Sequence, residues 1–161
     1  MQDRKIISLL PAATEIIYAL GLEQQLIGRS HECDYPERAK NLPVCSSAKF
    51  LPGSDSAEID RQVKEILSDS LSIYTIDKEL IKSLAPDVII TQAQCEVCAV
   101  SLKDVELAMN EMLDKGCQVI SLEPNGLSDI YRDIQNLADQ LGVGTAGADL
   151  LKLSEERIEI I

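Results

Sequence analysis

The chain of 161 residues has no Trp, one Phe and one His. With aromatic residues at 3%, its core must be built from Leu, Ile, Val and Ala. Small aliphatic residues suit buried parallel strands covered by helices. Basic runs are also missing, and 27 acidic residues against 15 basic ones leave a formal net charge of -12. Such a surface repels a phosphate backbone, which excludes nucleic acid as a partner. It equally disfavours direct binding to an anionic membrane, while suiting a cationic docking partner. No apolar run approaches the ~18 residues needed to span a bilayer. Neither GxGxxG nor a GxxxxGK phosphate loop is present. Gly142-Val143-Gly144-Thr145-Ala146-Gly147 comes close but follows a helical pattern instead of a strand. A GxSxG nucleophile motif is absent as well.

What is present fits one domain of ordinary size. Apolar residues make up 45% of the chain. Lys5 to Leu10 reads as a strand, ended by Pro11. Ala12 and Ala13 open a helix with Ile16, Ile17 and Leu20 on one face and Gly21 as its stop. Leu26 to Ser30 is a second short strand. The polar loop from His31 to Pro36 leads to a helical turn, and residues 41 to 54 read as irregular, with Pro43, Pro52 and Gly53 as breakers. Asp55 and Glu58 resemble a capping box before a helix carrying Ile59, Val63, Ile66 and Leu67. Ser72 to Ile76 reads as a strand or extended stretch. Asp77 caps a short helix presenting Leu80, Ile81 and Leu84, and Pro86 closes it. Asp87 to Thr91 is the clearest buried strand. A helix over Leu102 to Leu113, a strand over Cys117 to Leu122, and a helix opened by Asn125 or Ser128 with Ile130, Ile134, Leu137 and Leu141 inward follow. The last segment, about Ala146 to Ile161, is helical in pattern, with no stop signal in its final residues. Strands alternating with helices imply an α/β fold: a Rossmann-like, three-layer lobe around a mostly parallel sheet.

In open α/β sheets, ligands bind beyond the carboxyl ends of the strands. That rule selects Pro11 to Thr14, Ser30 to Tyr35, Gln92 to Cys98, and Glu123 to Asn125, which share one rim if the sheet is parallel. His31, Glu32, Cys33 and Asp34 are four consecutive metal-ligand types. Adjacent side chains diverge, so they cannot close a tetrahedron alone; two of them, joined by Cys95 and Cys98, could hold an ion. The ordinary reading is a polar loop of turns and caps. Cys95-Glu96-Val97-Cys98 has CxxC spacing but follows a late strand, unlike a thioredoxin-type motif, and it lacks two of the ligands a closed zinc site needs. Cys45 and Cys117 read as small buried apolar residues. Five cysteines, unevenly spaced, do not form a disulfide framework, and the simplest inference is a reducing compartment. Arg4 and Lys5 precede an apolar stretch as in an export leader, yet Pro11, Thr14 and Glu15 interrupt it and no cleavage site closes it.

Ile6-Ile7-Ser8-Leu9-Leu10-Pro11-Ala12-Ala13-Thr14-Glu15-Ile16, then Ala19-Leu20-Gly21, Leu26-Ile27-Gly28 and Asp34-Tyr35-Pro36, resembles the opening of the periplasmic-binding-protein family that serves ABC importers of cobalamin and iron chelates. Glu79-Leu80-Ile81 through Leu84-Ala85-Pro86-Asp87-Val88-Ile89-Ile90 is similar to the same family. Ser30 to Pro36 and Cys95 to Ser101 resemble its cobalamin-associated subgroup. The resemblance implies the first of two lobes, residues 1–144, followed by the start of an inter-lobe helix, residues 145–161. It implies capture of a corrinoid or ferric chelate with no catalysis and no cofactor of the protein's own.

Under the same resemblance the ligand would meet Pro11, Ala12, Thr14, His31, Glu32, Cys33, Tyr35, Gln92, Gln94 and Cys95, with His31 or Cys33 approaching the metal. Glu79 would meet arginines of an ABC permease. The compartment would be extracytoplasmic, against the missing leader pattern. Departures are the lack of a second lobe and the polar Glu32 and Gln92 where aromatics can stand. A single lobe offers half a cleft, so weak binding or pairing of two copies follows. The competing readings are a metal-dependent enzyme using His31, Cys33, Cys95 and Cys98, and a metal-binding regulatory domain.

Overall fold

Short runs of Ile and Val set the sheet. The computed structural model describes residues 3–49, 55–69, 74–92 and 116–159. Its strands are β1 (Ile6–Ser8), β2 (Leu26–Arg29), β3 (Ser46–Ala48), β4 (Tyr74–Ile76), β5 (Val88–Gln92) and β6 (Gln118–Leu122). Four of them form a wholly parallel sheet in the order β2-β1-β5-β6. β3 and β4 pair antiparallel as a separate ribbon. The helices are α1 (Pro11–Ala19), α2 (Ser56–Asp69), α3 (Lys78–Leu84), α4 (Leu127–Gln140) and α5 (Gly144–Glu159). The helix expected over Leu102 to Leu113, Cys98, and the candidate site residues Gln94 and Cys95 lie outside the described residues.

Alternation along the strands sends side chains to two cores. On one face Ile6, Val88, Ile90, Ile120 and Leu122 pack against Ala13 and Ile17 of α1 and Leu137 and Ala138 of α4. On the other, Ile7 and Ile89 pack against Ile81 of α3 and Cys45 beside the ribbon. The result is three layers, as the alternation of elements implies. Full burial of each large aliphatic side chain stabilises the fold by about 1.5–3 kcal/mol, and Ile6, Ile7, Ile89 and Ile90 have no exposed surface.

Local chemistry places the ends. Pro11 does not merely end β1; it opens α1, where its missing N–H costs nothing and its fixed φ already fits the helix. Asp77 caps α3 by accepting the Leu80 N–H at 2.9 Å. Half of the expected capping box forms at α2: Asp55 Oδ1 accepts the Glu58 N–H, while the Glu58 carboxylate turns to Arg61. Gly142 follows α4 at φ 77°, a left-handed position that glycine occupies without a Cβ penalty.

Two expectations are corrected. β3 lies inside the stretch read as irregular: its three residues carry no apolar alternation, and the strand exists because β4 pairs with it. Its partner β4 is the strand at the end of the stretch read as strand or extended. α4 is opened by neither Asn125 nor Ser128, for the N-cap is Gly126. Instead of capping, Asn125 donates its backbone N–H to the Asp129 carboxylate at 2.9 Å, which holds that carboxyl below the usual range.

Candidate functional site

Because the four strands are parallel, their last residues, Ser8, Arg29, Gln92 and Leu122, finish on the same edge. The segments that follow meet there: Leu9 N donates to Ile90 O, and Ser30 N to Ser8 O, each at 2.9 Å. α1 starts at this rim with no side-chain cap, so its first-turn N–H groups are left to solvent or ligand.

Beside that helix start is a small apolar pocket of about 130 Å³, lined by Leu10, Ala12, Ile16, Leu122, Pro124 and Ile130, with Gln92 and Asp133 at its polar margin. Ile130, read from the pattern as an inward residue, is 42% exposed and forms one wall. Ile16 also lines a wider groove between α1 and α5, where the exposed ring of Tyr35 stands. Ile16 thus links the rim pocket to a groove of mixed lining on the flank of α1, which also holds Glu15, Ser154 and Arg157.

The other half of the rim is polar. His31 Nδ1 lies 2.9 Å from the Ser46 hydroxyl, and its ring centroid is 5.0 Å from that of Tyr74. The Tyr74 hydroxyl donates to Glu32 Oε1 at 2.7 Å. Burial holds the His31 pKa below its ordinary value; Glu32 opposes this and Arg29 adds to it. The imidazole is thus mainly neutral at pH 7, the form that can accept a proton or ligate a metal.

Of the expected ligand residues, Pro11, Ala12, His31, Glu32, Tyr35 and Gln92 reach the rim or its flank. Thr14 and Cys33 do not: both are fully buried beneath it. Thr14 donates to the Ser8 hydroxyl at 2.9 Å, and the Cys33 thiol rests against Ser30 Oγ and Ser8 O. Cys33 serves as an inward anchor because the loop turns back on itself: its N–H donates to Ser30 O. Among the described residues, no group of three or more His, Cys, Asp or Glu side chains is arranged to hold a metal; Cys95 and Cys98, which could join His31 or Cys33, lie outside the described residues. Cys45 is buried and Cys117 partly so, both as free thiols. Ser46, Tyr74, Leu122 and Ile130 were not foreseen, whereas Pro124 lies in the Glu123 to Asn125 segment that the strand-end rule selects. Leu122 follows from the same rule applied to β6; Ser46 and Tyr74 arrive through the ribbon, whose pairing no local pattern announces.

An open-sided α/β lobe with one ligand-accepting edge is the class that this fold and site define. The model of a family described as periplasmic binding protein matches residues 6–161, and the chain belongs to that family. An uncharacterized ABC transporter substrate-binding lipoprotein of Bacillus subtilis (strain 168) is 22% identical over 152 residues, covering 94% of this chain and 38% of that protein. A vitamin B12-binding protein of Vibrio vulnificus is 53% identical over 47 residues, 29% of this chain and 17% of that one. Among solved structures, the periplasmic vitamin B12 binding protein of Vibrio cholerae superposes with a TM-score of 0.64 at 25% identity, over 96% of this chain and 48% of that chain. A periplasmic heme binding protein from Pseudomonas aeruginosa gives a TM-score of 0.68 at 18% identity, over 97% and 44%. The chain spans less than half the length of each of these relatives. Substrate-binding proteins of transporters, not enzymes, are what it resembles. No helix among the described residues is long and apolar enough to cross a membrane.

Proposed function

We propose that the chain is a ligand-capturing lobe of the substrate-binding component of an ABC-type importer, and that its ligand is a corrinoid of the cobalamin type. One observation carries the reading: all four strand ends open on one rim, where an apolar pocket adjoins a hydrogen-bonding cluster. An amphipathic macrocycle suits that pairing, with aliphatic edges for Leu10, Ile16 and Ile130 and amide arms for His31, Glu32 and Gln92. The high local identity to vitamin B12-binding relatives favours a corrinoid over the heme or ferric chelates of other relatives. His31 is the residue that would approach the metal; the buried Cys33 would need the loop to open. In this reading α5 starts the connection to a second lobe, the compartment is extracytoplasmic, and pairing of two copies through the half-cleft is the alternative way to close over a ligand.

The test is a visible-absorbance titration of the chain with hydroxocobalamin, hemin and a ferric chelate. A saturable shift of the corrinoid bands is expected, diminished by His31→Ala. Failure of all three to bind would remove the reading. Permease docking is assigned to Glu79, whose side chain is 89% exposed and only loosely paired with Lys82 at 3.9 Å. Glu79→Lys should abolish transport in cells while leaving ligand binding intact, and equal transport by the variant would remove that assignment.

A further inference from the structure

Arg29, the last residue of β2, is buried to 9% exposure and forms no ion pair with a carboxylate among the described residues. Burying a charge this way carries a large desolvation cost, and for packing alone an apolar side chain would serve better. What the guanidinium does touch explains it. Nη1 donates to Ser30 O at 2.9 Å and Nη2 to Lys40 O at 3.2 Å. These carbonyls sit at the two ends of the segment that carries His31, Glu32 and Tyr35.

The backbone of Arg29 is held in turn: its N–H donates to Pro43 O at 3.0 Å and its carbonyl accepts from Cys45 N at 2.7 Å. One residue therefore joins β2, both ends of the loop and the chain beyond it. Within the loop, Cys33 and Ala39 are buried, so the loop already has two apolar plugs; the guanidinium adds closure of its ends. We propose that Arg29 is the positioning residue of the ligand-facing loop, tying its ends together from beneath and so setting where His31, Glu32 and Tyr35 stand. The proposal rests on the functional reading above for the ligand, but not for the loop. A planar fork can reach two separate carbonyls, whereas the single ammonium of lysine cannot span them. Arg29 Nε, buried without an acceptor, shows that the side chain's orientation is set by these two carbonyls at the expense of its third donor group.

The experiment has two arms on the 161-residue chain, with Arg29→Lys and Arg29→Gln. Without ligand, amide hydrogen exchange of residues 31–35 is expected to quicken at least about tenfold in both variants, with residues 6–8 and 88–92 unchanged. With hydroxocobalamin, Arg29→Lys should weaken binding about tenfold. Combined with Glu32→Ala or Tyr35→Ala the losses should be less than multiplicative, because the variants disable the same loop. Combined with Ile130→Asp, on the far wall, they should multiply. A variant that merely loosened the fold would couple equally to both partners. Unchanged exchange at 31–35 in Arg29→Lys, or equal coupling to both walls, would overturn the proposal. A wild-type chain that binds no corrinoid sinks the functional reading, and the exchange arm then decides on Arg29 alone.

Discussion

Replacing Gly147 with Ala pits two effects of similar size against each other. Gly147 is the buried residue of α5, and a Cβ built on it would lie 2.5 Å from the Ala138 Cβ on α4. Carbon atoms in good contact sit about 3.5–4.0 Å apart, so the helices must separate by about 1 Å. Both atoms are fixed to the backbone, and no rotamer relieves the clash. In an open helix, Gly→Ala would stabilise by about 1 kcal/mol. Forcing a methyl into a filled contact costs about 1–3 kcal/mol. Here it also lifts Val143, Ala146 and Leu150 from the core they pack against. Overpacking should win, for a net loss of up to about 2 kcal/mol, or up to roughly 6 °C in Tm. Urea melts followed by circular dichroism would show it as a lower midpoint with unchanged slope. Adding Ala138→Gly should restore part of the loss. Stabilisation by Gly147→Ala alone would refute the reasoning, since it would mean the helices are not in contact there.

Three further outcomes follow from the geometry. Thr14→Val removes the buried hydroxyl that donates to Ser8 and should lower stability by about 1 kcal/mol in thermal melts, with corrinoid affinity unchanged. Ala85 sits at φ 48° as the C-cap of α3, a conformation costly for any residue with a Cβ, so Ala85→Gly should stabilise by about 0.5–1 kcal/mol in urea melts. Burial pushes the Cys45 and Cys117 thiols up to about 11 from 9.0. The folded chain keeps protons that the unfolded chain releases, so stability should hold below about pH 9 and fall as pH rises toward 11. Cys45→Ala should flatten that slope, and a flat wild-type profile between pH 8 and 11 would contradict the assignment.

Strongly patterned elements were legible in the sequence. β5 announces itself by Val88-Ile89-Ile90, α3 by the Asp77 cap and its Leu80, Ile81 and Leu84 spacing, and α1 by its apolar face ending at Gly21. The rule for parallel strand ends then placed Pro11, His31 and Gln92 on one edge. What stayed hidden depends on contacts distant in sequence. The Ser46–Ala48 strand has meaning only beside Tyr74–Ile76, so Ser46 and Tyr74 could not be seen to hold His31 and Glu32. Thr14 and Cys33 are polar enough to read as exposed, but hydrogen bonds to Ser8 and Ser30 satisfy them inside. Ile130 follows the helical period yet is 42% exposed, lining the rim pocket instead of packing into the core. Periodicity reports a face, not what lies opposite it.

The account stands or falls on where a ligand touches the chain. Backbone amide chemical-shift mapping during titration with hydroxocobalamin measures this directly. The account predicts perturbations gathered on Leu10 to Ala13, His31 to Tyr35, Gln92 and Glu123 to Ile130. Shifts confined to the amino ends of the strands, around Arg4, Asp87 and Gln118, or none at millimolar corrinoid, would contradict it.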